Sequence, residues 1–253
     1  MNVLAMDTST LVMGVAVLEN ERLLGEMLTN QKKNHSVRLM PTVERLLQEL
    51  DLAPSDLQLI AVGMGPGSYT GVRIGVTTAK MMAWALSIPL VGVSTLLAMA
   101  AGVGPVEGWI CPLIDARRGR VYTGLYRYEA GELRLVRPET VTVWTDWVSE
   151  VLVPLDGPVW LAGEDALLHQ ETARSRLGER LTMPQPEHRL PRPSSIGRLA
   201  WAWYSGRWIS PQKDTVMVLA QGADIHRFVP RYLQKTEAEQ KLGRGVEIGS
   251  GSG

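Results

Sequence analysis

The sequence has one cysteine, four histidines and no formal net charge. A lone Cys111 cannot form a disulfide within the chain, and no two histidines or cysteines have the spacing of a metal site. The 26 basic and 26 acidic residues lack the basic excess with which proteins bind nucleic acid unaided. These absences argue against a disulfide-stabilised fold, a histidine- or cysteine-based metal site and independent nucleic-acid binding.

Long apolar segments are also missing. Residues 81–106 carry no charge, but Ser87, Pro89, Gly92 and Ser94 divide them into a helix end, a turn, a strand and a new helix, so no membrane span is predicted. The N-terminus lacks the basic region of a signal peptide. We therefore expect a cytoplasmic protein, and we interpret the final GSGSG at 249–253 as a cloning remnant.

A repeated order of strands and helices is what the sequence does contain. The patterns predict strands over 3–6, 12–18, 22–29, 57–62, 90–93, 109–114, 120–126, 132–143 and 158–162, and helices over 36–50, 68–87, 145–152, 164–177 and 194–206, with another helix after Ser94. Three strands followed by alternating helix and strand occur twice. We predict an α/β fold of two related lobes, 1–103 and a smaller 104–210, with a tail at 211–248 that packs back on the first lobe.

The stretch Gly65-Pro66-Gly67-Ser68-Tyr69-Thr70 opens the predicted helix 68–87 and allows two interpretations. Glycines before a helix N-terminus can bind a phosphate, and Asp7 could hold a magnesium-bound water. However, no Gly-Lys-Ser/Thr follows, so this is not a P-loop. The alternative is a tight turn in which Ser68 or Thr70 caps the helix, and composition alone favours the turn.

The same helix carries a stripe of small residues, Gly71, Gly75, Ala79 and Ala83, at four-residue spacing. Residues four apart lie on one face of a helix, and glycine inside a helix costs about 1 kcal/mol relative to alanine. Close approach of another backbone would compensate this cost. That backbone can belong to the chain's own sheet or to a partner's helix, and spacing does not separate the two.

Four motifs, spread in order over nearly the whole chain, closely resemble the TsaB (YeaZ) family of bacterial tRNA threonylcarbamoyladenosine biosynthesis proteins. They are DTS at 7–9, GPGSYTGVRIG at 65–75, PLIDARRG at 112–119 and VPRYL at 229–233. The resemblance implies the actin/Hsp70/sugar-kinase-like (ribonuclease H-like) fold. One departure is Arg120, where the family usually has an acidic residue. The role of the loop with Asp115, Arg117 and Arg118 therefore stays open, and from residue type alone it is an Asp-capped turn with exposed arginines.

The resemblance also implies a function without catalysis. The family is related to TsaD, the metal-bearing subunit that transfers threonylcarbamoyl to adenosine beside the tRNA anticodon. The TsaD metal-ligand positions fall at Thr95 and Met99, which are not plausible ligands for iron or zinc. The resemblance thus implies that this chain binds no cofactor alone, and that ATP and a metal ion belong to partner subunits. Asp7, Thr8, Ser9, Gly65, Gly67, Ser68 and Thr70 would be a degenerate phosphate loop.

The expected partners are TsaD and the ATPase TsaE, with tRNA contacted only through the complex. The family pairs through the first two helices, so the resemblance assigns the interface to Leu39, Val43, Leu46, Gly71, Gly75, Ala79 and Ala83. The same surface could form a homodimer. On this assignment, Gly75→Arg should abolish pairing and leave folding nearly normal.

Two other functions remain alternatives at this stage. One is an ATP-dependent enzyme of the sugar-kinase type that uses Asp7 and the loop 65–70. The other is a glycoprotease-like peptidase, or a regulator of the relative's turnover, against which Thr95 and Met99 count because they offer no metal site. ATP hydrolysis that is lost in Asp7→Ala would favour the first.

Overall fold

The computed structural model describes residues 1–31, 34–207 and 216–233. Eleven strands lie in these ranges: β1 (Asn2–Asp7), β2 (Val12–Glu19), β3 (Arg22–Asn30), β4 (Leu57–Gly63), β5 (Leu90–Val93), β6 (Trp109–Asp115), β7 (Arg120–Glu129), β8 (Glu132–Val143), β9 (Val159–Ala162), β10 (Leu181–Thr182) and β11 (Met217–Ala220).

Seven α-helices connect the strands of the described ranges: α1 (His35–Glu49), α2 (Tyr69–Leu86), α3 (Thr95–Val103), α4 (Trp144–Trp147), α5 (Ala166–Leu177), α6 (Pro186–Arg189) and α7 (Pro193–Tyr204). A π turn, Val148–Leu152, continues α4, and short 3-10 helices cover Pro54–Asp56, Gly178–Arg180 and Gly222–Arg227. No described helix is both long and apolar enough to cross a membrane.

The strands form two sheets that share a five-strand topology, and the first sheet has β11 as an additional edge strand. The first has the order β11-β5-β4-β1-β2-β3 and the second has the order β10-β9-β6-β7-β8. In the first sheet β1, β2 and β3 are antiparallel, and β4 and β5 run parallel to β1. In the second sheet β6, β7 and β8 are antiparallel, and β9 and β10 run parallel to β6. The repeated α/β unit predicted from the sequence is confirmed. The sequence patterns do not predict strands β10 and β11, which have two and four residues.

Helices cover both faces of the first sheet. The apolar sides of α1 and α2 pack on one face, while α3 and α7 pack on the other face in a cluster that also includes Ile110 and Tyr126 of the second sheet. One core therefore continues from lobe to lobe through α3. Helix α1 begins at His35, capped by Asn34, and runs through the exposed Pro41.

Helix α7 lies on the first sheet, although the sequence analysis placed it in the second lobe. An added Cβ at Gly197 would lie 2.3 Å from Leu18 Cδ1, and one at Gly14 would lie 2.5 Å from Pro193 Cγ. The Ser194 N–H donates to Glu26 Oε1 at 2.9 Å. We therefore assign α7 to the first lobe, because it supplies the apolar cover of that sheet. Residues 211–215 and 234–248 of the predicted tail, and the predicted cloning remnant at 249–253, lie outside the described residues.

Candidate functional site

The glycine loop between β4 and α2 is folded against the turn that follows β1. The Ser68 N–H donates to Ser9 O at 2.7 Å, and Ser68 Oγ accepts from the Gly71 N–H at 3.3 Å and so caps α2. A Cβ at Gly67 would lie only 2.2 Å from Ser9 O. Gly67 is thus needed for close packing of the loop against the turn after β1. This geometry favours the turn among the two interpretations of the sequence.

The small-residue stripe of α2 faces the chain's own sheet. A Cβ at Gly71 would lie 2.1 Å from Thr8 O, and one at Gly75 would lie 2.6 Å from Thr8 Oγ1. All seven residues assigned to the partner interface are buried in the first lobe: Leu39, Val43, Leu46, Gly71, Gly75, Ala79 and Ala83. That residue assignment is corrected, because these side chains already pack on the sheet. The expectation that Gly75→Arg abolishes pairing and leaves folding nearly normal is therefore wrong, since an arginine at this buried position would disrupt the first lobe.

The exposed side of α1 and α2 carries large apolar residues instead. Met81 is 62% exposed and Trp84 is 58% exposed, both on α2, and Val37 and Met40 of α1 are exposed as well. Near the start of α2, the rings of Tyr69 and Tyr232 stack with centroids 5.1 Å apart. Isolated exposed apolar residues are ordinary on protein surfaces, but several on two neighbouring helices are typical of an interaction surface.

A cleft of about 880 Å³ separates the two lobes. The β1–β2 turn and the N-terminal end of α2 line one side, and Asp115, Arg117, Glu164 and Asp165 line the other. Asp115 Oδ1 lies 3.0 Å from His169 Nε2. The backbone N–H of Asp115 donates to Asp165 Oδ2 at 2.9 Å. The structure thus brings Asp115 together with His169, which has no potential partner nearby in the sequence.

The arginine turn beside this cleft has an unusual backbone. Arg117 and Arg118 both have positive φ, 67° and 56°, in the left-handed region that non-glycine residues seldom adopt. Gly119 follows, and the Arg120 N–H donates to Arg117 O at 3.1 Å. The turn is therefore a tight β6–β7 hairpin that starts from a fixed aspartate, as the residue types suggested.

The TsaD ligand positions lie inside packed structure. Thr95 is fully buried and its hydroxyl donates to Ser9 Oγ at 3.0 Å, while the buried Met99 lies against Gly163. Across the described ranges 1–31, 34–207 and 216–233, no group of three or more His, Cys, Asp or Glu side chains is arranged to hold a metal ion. The chemistry of these two side chains therefore does not fit the metal of the related transferase.

A buried polar cluster that the sequence patterns do not predict lies at the junction of the lobes. The Glu139 carboxylate of β8 is fully buried and accepts hydrogen bonds from Ser94 Oγ at 2.5 Å, from the Tyr126 hydroxyl and from the Arg231 guanidinium. Burial and the neighbouring Glu139 raise the pKa of Tyr126 well above its ordinary value, so this hydroxyl remains a donor. The local signal is that Glu139 is in phase with the apolar Leu133, Leu135 and Val141 of the same strand.

Asp7 is buried at the end of β1, and only one of its oxygens has a partner. Oδ1 accepts the Ser9 N–H at 2.7 Å, whereas Oδ2 accepts no hydrogen bond within the described chain. Burial raises the pKa of the carboxyl, and the hydrogen bonds from Ser9 only partly oppose this effect. Ionised Asp7 therefore destabilises the folded chain.

We expect Asp7→Asn to stabilise the protein at pH 7 by about 1–2 kcal/mol, because the amide carries no charge into the buried site while its oxygen can keep the hydrogen bond from the Ser9 N–H. A carboxyl whose folded pKa is raised costs nothing below its unfolded pKa of about 4 and costs more as the pH rises towards the folded value. The gain should therefore vanish near pH 3. Urea unfolding at pH 3 and pH 7 measures it, with the exposed Asp224→Asn as the control. A loss of stability at pH 7 would contradict this account of Asp7.

Comparisons with known proteins agree with this architecture. The family model described as tRNA N6-adenosine threonylcarbamoyltransferase, TsaD, matches residues 22–174. The chain is 43% identical to the TsaB protein of Bacillus subtilis over 95% of this chain and 97% of the relative. It is 33% identical to TsaB of Escherichia coli over 66% and 84%, respectively.

Solved structures give the same result. YeaZ from Pseudomonas aeruginosa matches with a TM-score of 0.71 and 30% identity, over 92% of this chain and 99% of that one. A ROK hexokinase from Thermus thermophilus matches with a TM-score of 0.50 and 13% identity, over 81% of this chain and 100% of that one, which supports the sugar-kinase-like fold alone. The whole-length identity to the Bacillus protein shows that the chain belongs to the TsaB (YeaZ) family of tRNA threonylcarbamoyladenosine biosynthesis proteins.

Proposed function

We propose that this chain is the non-catalytic subunit that binds and activates a TsaD-type transferase in the threonylcarbamoylation of tRNA adenosine. The relatives named for the biosynthesis of this modified nucleoside support the pathway. The match to the transferase family model supports a partner of similar architecture. With no net charge, the chain would contact tRNA only as part of the complex.

The packing around the loop and the junction supports an accessory role. Thr95 and Met99 are buried at the metal-ligand positions, and the loop residue Gly67 packs directly against Ser9. In this proposal the metal ion resides in the TsaD subunit and ATP is used by TsaE. The chain would supply a surface, and its activating effect would come from binding energy.

The exposed apolar side of α1 and α2 is the observation that carries the proposal. Met81 and Trp84 lie on the opposite side of α2 from the buried stripe, and their exposure gives an apolar partner large side chains to cover. Trp and Met are enriched in protein interfaces, where a few central residues supply most of the affinity. When the transferase is missing, the same surface would pair two copies of this chain.

We expect Met81→Glu to weaken binding to the TsaD protein of the same organism at least about tenfold, equivalent to about 1.4 kcal/mol. The substitution places a charge at the centre of an apolar contact. Isothermal titration calorimetry measures the affinity, and formation of modified tRNA in the complete system measures activation. Leu168→Glu is the matched control, because Leu168 is 72% exposed on α5 of the other lobe.

Equal affinities of the two variants would exclude this side of α2 as the interface. Absence of binding by the unmodified chain, with TsaE present and absent, would overturn the proposed function itself. Thermal unfolding of both variants checks that the folded state is retained, as is expected for substitutions at exposed positions.

A further inference from the structure

The chain segment 226–232 lies along the side of α2 and runs antiparallel to it. Lys80 Nζ donates to the carbonyl oxygens of His226 and Phe228 at 2.9 and 2.8 Å. About two helical turns towards the start of α2, Arg73 Nε donates to the Tyr232 hydroxyl at 2.9 Å. The segment is therefore attached to α2 at both of its ends.

Arg231 connects this segment to both lobes. Its N–H donates to Met64 O at 2.8 Å, and its carbonyl lies so close to Gly65 that an added Cβ there would be 2.9 Å away. Its guanidinium pairs with Glu139 of β8 in the second lobe. The backbone of this one residue is thus bound to the first lobe, while its side chain is bound to the second.

Glu139 makes the attachment to the second lobe specific. Its carboxylate also accepts from the hydroxyls of Tyr126 in β7 and Ser94 at the start of α3. All these donors converge on a group without solvent exposure, and such fully satisfied buried polar networks rigidify the elements that contribute to them. Strands of the second lobe, a helix start of the first lobe and the C-terminal segment therefore meet at one carboxylate.

The residue next to Arg231 lies on the outer side of α2. Tyr232 stacks on Tyr69, and the Arg73 guanidinium lies 4.1 Å from the centre of the Tyr69 ring. Both tyrosines remain 43% exposed, on the helix that also exposes Met81 and Trp84. A protein that covers this side of α2 would contact Tyr232 directly.

We propose that residues 226–232 form a latch that fixes the two lobes relative to each other and links this fixation to partner binding on α2. The latch rests on the contacts above, and its link to the partner rests on the proposed function. A ligand shifts a conformational equilibrium only through contacts that differ between the states. Tyr232 provides such a contact, because the partner meets it only while Arg231 holds the segment in place.

The test compares lobe geometry and partner affinity in one set of variants. Spin labels at Arg45→Cys and Ser175→Cys, both exposed and in different lobes, report the inter-lobe distance by pulsed electron paramagnetic resonance. Cys111 is buried and stays unlabelled. The latch is broken by Arg231→Met together with Glu139→Gln, which leaves no unpaired buried charge, and Arg227→Met is the control because Arg227 is 88% exposed in the same segment.

We expect the double variant to broaden the distance distribution of the free chain and to weaken TsaD binding at least about fivefold, the lower end of measured coupling energies. The control should match the unmodified chain in both. An unchanged distribution in the folded double variant would overturn the latch. A broadened distribution with unchanged affinity would overturn the link. Absence of binding by the unmodified chain would overturn the proposed function, while the distance distribution would still decide the latch.

Discussion

Gly71→Ala is expected to lower the free energy of unfolding by about 3 kcal/mol or more, the upper range for overpacking a core. The added methyl group would lie 2.1 Å from Thr8 O, and neither backbone can move away easily. Gly71 O also accepts the Thr8 hydroxyl at 2.7 Å. The substitution must therefore separate α2 from the turn after β1, or break that hydrogen bond. Urea unfolding followed by circular dichroism measures the loss.

Gly102→Ala is the matched control, because Gly102 also lies in a helix, α3, and its nearest neighbour for an added Cβ is Ser195 Oγ at 3.6 Å. Alanine there should be neutral or stabilising by up to about 1 kcal/mol, from helix propensity. Similar effects of the two substitutions would show that helix propensity, and not the approach of Thr8, decides the residue at position 71.

Arg231→Met is expected to destabilise the chain by about 3–5 kcal/mol, the usual loss when one partner of a buried ion pair is removed. Glu139 would keep its hydrogen bonds from Ser94 and Tyr126, but its charge would have no counter-ion in a site without solvent exposure. Adding Glu139→Gln should restore most of the loss, since the amide carries no charge. Denaturant unfolding of the two single variants and the double variant measures the coupling between them.

Additive losses in that double-mutant cycle would contradict a direct interaction between the two residues. A small loss for Arg231→Met alone would show that water replaces the guanidinium. Arg134→Met is the control, because Arg134 pairs with Glu129 and Glu132 in an exposed setting where ion pairs contribute little. We expect a change below about 1 kcal/mol there.

The order of the elements could be predicted because strands and helices leave different periods of apolar residues in the sequence. The turn at Gly65–Thr70 could also be favoured in advance, since the lysine of a P-loop is absent. The neighbour of the small-residue stripe on α2 could not be predicted in this way. Small residues indicate that a backbone comes close, but they do not say whose, and here the neighbour is Thr8 of the same chain.

The same stretch of sequence predicts which side of α2 is exposed. Met81 and Trp84 are out of phase with Gly75, Ala79 and Ala83, so a helix that buries the small residues must expose the large ones. The Glu139 cluster was less accessible. Glu139 is in phase with the buried Leu133 and Leu135 of β8, but the exposed Arg137 interrupts the alternation between them. The partner of Glu139, Arg231, lies 92 positions away, and no local pattern relates two residues at such a separation.

The position of α7 and β11 has a consequence for how the chain folds as it is synthesised. The second sheet is built from one continuous stretch, Trp109 to Thr182, whereas the first needs α7 on its face and β11 at its edge. Domains generally fold as units while the ribosome is still at work. The first lobe is therefore synthesised first but completed last, because its sheet stays uncovered until residues 193–220 have left the ribosome.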